Sequence, residues 1–179
     1  PLGNPGQIAF LKTNIFKPGD VKQVLKNSDF VINLVGILHE TRTQKFNQIH
    51  AQFPYLLGNL CNEFGIKNLI HISALGVKEN HVSKYMQSKL QGEKNIRDTF
   101  KPSVILRPSV IFGPSDKFFT TFASIAQFSP VLPLIGGGKT KFTPIYCGDV
   151  CKAIVKALEL NNSEPKIYEL GGPENYSFK

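Results

Sequence analysis

NLIHISALGVKENHVSKYMQSKLQGEKNIRDTFKPSVILRP, residues 68–108, sets out a strand, a helix and a second strand. Asn68 to Ser73 is an apolar run of strand length that ends in a hydroxyl residue. Val82 to Thr99 is longer and stops before Pro102, a residue that disfavours helix in its predecessor. Ser103 to Arg107 is apolar again. Apolar runs of strand length alternating with stretches of helical period are the mark of βαβ units and a parallel sheet.

The same rhythm extends in both directions. Upstream, Ile8 to Lys12 reads as a short strand, and Asp20 to Asn27 as a helix with Val21, Val24 and Leu25 on one face. Phe30 to Val35 is apolar throughout except for Asn33, as expected of a strand covered on both sides. A helix spans Phe46 to Phe64, with a kink expected at Pro54 and Gly65 as its left-handed cap. Downstream, Phe118 to Phe128 reads as a helix, Asp149 as the N-cap of a helix reaching about Leu160, and Lys166 to Leu170 as a last strand. The fold class is therefore α/β, a Rossmann-like doubly wound parallel sheet, with residues 1–179 as one domain. Residues 129–146, rich in Gly and Pro, contribute a loop-rich lobe on the substrate side. Gly136-Gly137-Gly138 there reads as a hairpin or flexible turn rather than a phosphate loop, because no strand-loop-helix frame surrounds it.

Composition narrows the function classes. The net charge is +8, but the lysines are scattered singly, there is no Trp, and no aromatic-basic alternation marks a base-stacking surface, so nucleic acid is not an expected partner. Cys61, Cys147 and Cys151 form no C-x-x-C pair and are expected as free thiols, with no metal site. No run approaches the roughly 18 apolar residues of a membrane span, and residues 1–6 do not resemble a signal peptide. The expectation is a soluble, cytoplasmic protein.

The chemistry concentrates on Ser73, Tyr85 and Lys89. Tyr85 and Lys89 are four apart on a helix and share a face. A neighbouring ammonium favours the phenolate, which is expected to bring the Tyr85 pKa down toward the working range of an acid-base group. Ser73 closes the preceding strand at the carboxyl edge, where open parallel sheets bind ligands. Tyr-x-x-x-Lys alone is common on solvated helix faces; the frame of strand, terminal Ser, Tyr-x-x-x-Lys helix and second strand is specific.

On these residues, with Asn33-Leu34-Val35-Gly36, Leu106-Arg107-Pro108-Ser109-Val110-Ile111-Phe112-Gly113-Pro114 and Val131-Leu132-Pro133-Leu134-Ile135-Gly136-Gly137-Gly138, the chain resembles an extended or atypical short-chain dehydrogenase/reductase of the NAD-dependent epimerase/dehydratase kind. The last two segments and Pro144-Ile145-Tyr146-Cys147-Gly148-Asp149-Val150 are similar to the subgroup of the nucleotide-binding accessory subunit of mitochondrial complex I and its bacterial relatives.

The resemblance implies NADP or NAD as cofactor, with Tyr85 and Lys89 at the nicotinamide ribose and Asn14-Ile15 against adenine. Leu34, Val35 and Gly36 would lie under the adenosine side and Pro108, Ser109, Val110 and Ile111 at the nicotinamide end. Arg107 is expected to be structural. Asn33 is open between a buried backbone-bonding amide and a ligand role. His50 stands where many relatives carry Asn, which puts a proton relay through that position in doubt. The phosphate-binding Gly-x-x-Gly-x-x-Gly is absent, so the first βαβ unit is expected to be missing. The implied activity is that of an oxidoreductase or epimerase acting on an unknown small molecule. The alternative is a catalytically silent NAD(P)H-binding accessory or assembly subunit of respiratory complex I, peripheral to the inner membrane.

Overall fold

The computed structural model describes Asn4, residues 7–114, Asp116 and residues 141–177. Four parallel strands form the central sheet: β1 (Phe30–Asn33), β2 (Asn68–Ile72), β3 (Ser103–Pro108) and β7 (Lys166–Leu170), side by side in that order. The 68–108 stretch thus supplies the two central strands. Leu69 packs with α1 (Pro18–Leu25), α2 (Phe53–Glu63) and Ile96 of α3 (Lys84–Thr99). Its neighbour Ile70 packs the other way, with Val104, Leu106 and Ala157 of α4 (Cys147–Leu158). Successive strand residues point to opposite faces, so an unbroken apolar run is what a strand sandwiched between helices requires.

Two small sheets flank this core. β4 (Ile111–Phe112) pairs in parallel with β6 (Ile145–Tyr146), and β5 (Lys141–Phe142) pairs antiparallel with β8 (Tyr176–Ser177). Among the described residues no helix is long and apolar enough to cross a membrane.

Three expectations need correction. Ile8 to Lys12 is not a strand; its backbone joins no ladder, and Ile8, Phe10 and Leu11 are exposed. A strand is held by lateral hydrogen bonds, and among the described residues no strand pairs with this segment. Phe30 to Val35 ends as a strand at Asn33 and is not covered on both sides: Val31 packs toward α1 and α2, whereas Phe30 and Ile32 point to the opposite face and are exposed, because among the described residues the helix on that face does not reach β1. Asp149 is not the N-cap of α4. Tyr146 holds that position, and Asp149 sits in the first turn, where its carboxylate still complements the helix dipole and pairs with Lys152. The helix read at Phe118 to Phe128 and the triple glycine lie outside the described residues, as does most of the 129–146 lobe.

The kink foreseen at Pro54 is a change of helix type. Residues Asn47–Gln52 form a π-helix that runs into α2, whose first turn contains Pro54. Pro54 has no N–H to give to the His50 carbonyl, so the α-helical bond at that step is lost and the wider turn accommodates it. α3 comes up against the same carbonyl: a Cβ on Gly92 would collide with His50 O. A Cβ on Gly58 would meet the Thr99 hydroxyl instead. Gly92→Ala is therefore expected to destabilise the protein by about 1–3 kcal/mol, since backbone must move, and Gly58→Ala by less, since the Thr99 side chain can turn away. Urea unfolding of the two variants checks the order. Gly65, with φ of 65°, is the left-handed cap of α2 as expected.

Candidate active site

Gly36 follows β1, Ser73 follows β2, and Pro108 to Ile111 lie at and beyond the end of β3, so all three groups gather at the carboxyl edge of the parallel sheet. There they line one cavity of about 980 Å3 together with Tyr85 and Lys89 from the first turns of α3. Ser73 is anchored through its N–H to Leu106 O at 2.8 Å, and its hydroxyl is buried with no partner among the described residues. Lys89 is 5% exposed and donates to Ile72 O at 3.1 Å. Burial pulls its pKa down to about 8, with Glu93 acting in the opposite sense. The Tyr85 ring stands edge-on to Phe46 and His50, with centroids 5.7 and 5.4 Å away.

Burial raises the Tyr85 pKa, contrary to the lowering expected from a neighbouring ammonium. The spacing of Tyr85 and Lys89 reveals the charge; it does not reveal how far the phenol is withdrawn from water, which is the larger effect here.

Asn14, Ile15, Leu34 and Val35 do not line the cavity. Asn14 builds the turn into α1: its Oδ1 accepts from Phe16 N–H at 2.9 Å, and its own N–H donates to Asp20 at 3.2 Å. Ile15 and Val35 pack against the core beneath α1 and α2, and Leu34 is exposed. Asn33 takes the structural option: it donates to His71 Nδ1 at 3.0 Å and accepts from Val35 N–H at 3.1 Å. Arg107 is structural too. It grips buried Glu93 through Nε at 2.9 Å and a second nitrogen at 2.7 Å, and reaches Glu169 at 3.3 Å.

His50, singled out in the sequence only as a departure from Asn, does not line the cavity but is buried against the ring of Tyr85, which does. Its Nε2 accepts from Ile37 N–H at 3.0 Å, which leaves the proton of the neutral ring on Nδ1, 2.9 Å from Ser88 Oγ. That hydroxyl donates in turn to Tyr85 O at 2.7 Å. A Cβ on Gly36 would stand 3.3 Å from Lys89 Nζ and 3.5 Å from His50 Nε2, so glycine keeps this approach open.

Burial, then the Lys89 charge, lowers the His50 pKa to about 4; the same causes, with His50 third, lower that of buried His71 to about 3. Both rings are neutral in the folded state at pH 7. In the unfolded chain they take up protons near 6.5, so the unfolded state binds more protons at lower pH and stability falls as pH drops from about 6.5 toward 4 and below. Urea unfolding at pH 7.5, 5.5 and 4.5 should show this decline, and His71→Gln should flatten it.

The profile of the NAD dependent epimerase/dehydratase family matches residues 1–171. The chain belongs to that family. Over 176 residues it is 35% identical to NADH dehydrogenase (ubiquinone) 1 alpha subcomplex subunit 9, mitochondrial, of Mus musculus, covering 98% of this chain and 46% of the relative. It spans about half the length of the curated relatives it matches. In structure it resembles UDP-glucuronic acid 4-epimerase from Bacillus cereus in complex with UDP-glucuronic acid and NAD, with a TM-score of 0.77 and 25% identity over 92% of this chain and 60% of that one. It also resembles MoeE5 in complex with UDP-glucuronic acid and NAD, with a TM-score of 0.83 and 16% identity over 99% of this chain and 68% of that one.

The cavity suits the family's dinucleotide. It offers an unpartnered buried hydroxyl at Ser73, a buried ammonium at Lys89, and a glycine at 36 where a side chain would crowd that ammonium.

Proposed function

We propose that this chain is most of a dinucleotide-binding domain, with residues 129–146 contributing to the substrate-side lobe, and that Ser73, Tyr85 and Lys89 perform proton exchange on a small carbonyl or alcohol substrate. The observation that carries this reading is the convergence of these three residues on one cavity at the carboxyl edge. Tyr85, Lys89 and residues 108–111 would hold the nicotinamide end of NAD or NADP, and Asn14, Ile15, Leu34, Val35 and Gly36 would serve the adenosine side, with Gly36 letting the chain approach the ligand closely. The cofactor supplies hydride exchange with carbon when bound. The unpartnered Ser73 hydroxyl would orient the substrate oxygen, and the phenol of Tyr85 would give or take the proton on it. Burial raises the pKa of the Tyr85 phenol, so it rests in the protonated form that can give its proton.

Mass spectrometry of the nucleotide retained by the purified full-length protein tests the cofactor. NAD(H) or NADP(H) is the expected result, and Lys89→Ala should weaken its binding at least tenfold, the scale of about 1.4 kcal/mol. Absence of dinucleotide from the purified protein together with a flat titration would overturn the reading.

The name of the mouse relative supports a second reading: a dinucleotide-stabilised accessory subunit of respiratory complex I or another assembly peripheral to the membrane, with no turnover of its own. In that case the ligand stabilises the fold by mass action alone.

A further inference from the structure

A second cavity, of about 740 Å3, adjoins the first, and Phe112 and Phe142 line both. Its walls come from the two small flanking sheets at matched registers: Phe112 stands opposite Tyr146 across β4 and β6, and Phe142 stands opposite Tyr176 across β5 and β8. Directly opposed residues on adjacent strands bring their side chains side by side, so these are two aromatic pairs. The Phe112 and Tyr146 centroids are 5.7 Å apart. The Tyr176 hydroxyl is bound to Glu174 at 2.8 Å, which leaves the ring as what this residue offers a ligand. Among the described residues that line the cavity the only charged one is Asp149, and it is paired with Lys152. Pyrophosphate or carboxylate needs cationic or clustered N–H donors, and apolar uncharged bodies need what is present.

We infer that this second cavity binds the uncharged apolar body, ring system or acyl chain, of the substrate whose carbonyl or hydroxyl lies beside Ser73 and Tyr85. The inference deepens the catalytic reading and rests on it for the identity of the reacting end. The Phe112–Phe142 wall is where the two halves of such a substrate meet: polar chemistry on the sheet side, aromatic contact on the other.

The test uses full-length protein and a neutral naphthalene ketone, prodan, whose emission shifts to the blue on leaving water. Saturable binding is expected. Straight-chain alcohols from hexanol to dodecanol should displace it, with affinity rising about three- to fourfold per methylene, as burial of each CH2 in an apolar site requires. UDP-glucuronic acid should not. Displacement by the alcohols alone marks an acyl-chain site, and prodan binding without it marks a site for ring systems; either supports the proposal. Tyr176→Asp, at a half-exposed position on a two-residue strand, places a carboxylate in the wall and should weaken prodan at least tenfold while dinucleotide affinity holds. Prodan binding needs no turnover, so a failed catalytic reading leaves the probe result intact. Absence of saturable binding, equal binding to Tyr176→Asp, or displacement by UDP-glucuronic acid but not by decanol would each overturn the apolar site. Wild-type saturation, with the competition between decanol and UDP-glucuronic acid, decides the matter even if Tyr176→Asp does not fold.

Discussion

Tyr85→Phe in the full-length protein is expected to lower turnover by about 10²-fold or more while dinucleotide affinity stays within about twofold, the scale of general acid catalysis. The substitution removes the transferable proton and keeps the ring that packs edge-on to Phe46 and His50. The packing that shapes the cavity therefore survives, and loss of rate reports on proton transfer rather than on folding. Ser88, which accepts from His50, donates to the Tyr85 carbonyl and not to the phenol, so the change leaves this relay untouched. The accessory-subunit reading gives a different result: Tyr85→Phe is silent, and Lys89→Ala acts only through lost ligand and lost stability. Steady-state rates and a dinucleotide titration on the two variants separate the readings. Unchanged turnover of an identified substrate by Tyr85→Phe would end the catalytic one.

The largest expected loss of stability is for Arg107→Leu. Glu93 on α3 is 1% exposed, and Arg107 on β3 is its bidentate partner. Leucine leaves the carboxylate buried without its counter-charge, and breaking such a pair from one side costs about 3–5 kcal/mol. For a domain of this size that is on the order of 10 °C in Tm. Arg107→Lys should fall between, because a point charge cannot reproduce the forked contact. The double variant Arg107→Leu/Glu93→Leu should recover much of the loss, since an apolar pair of similar volume replaces both charges together. A double variant no more stable than Arg107→Leu would mean that the guanidinium acts mainly through Glu169 and its packed stem.

Much of the fold is legible because its signals are local. Asn68–Ile72, Ser103–Pro108 and Lys166–Leu170 lie within a residue of their expected ends, since breakers bound each apolar run. The arrangement of Ser73, Tyr85 and Lys89 on one cavity is legible for the same reason: one residue ends a strand and the others are four apart on the helix that follows. Ile8 to Lys12 misleads because apolar content does not tell a segment whether a neighbour strand exists. Phe30 and Ile32 mislead in the same way about what covers them. The roles of His50 depend on Ile37 and Ser88, 13 and 38 residues away, and no local pattern joins them. The two aromatic pairs are equally hidden, because each joins two-residue strands that only the folded chain brings together.

The π-helical turn at Asn47–Gln52 makes this stretch unusually intolerant of changes in length. A wider turn holds one residue more than an α-helical turn would at the same place. Deleting a single residue there could restore regular helical hydrogen bonding, and by that criterion alone would look harmless. It would also rotate every preceding side chain by about 100° relative to α2, swinging His50 off Ser88 and Ile37 and turning Phe46 away from Tyr85. Homologues that carry the same His50 and Phe46 contacts should therefore differ here by substitution and not by insertion or deletion.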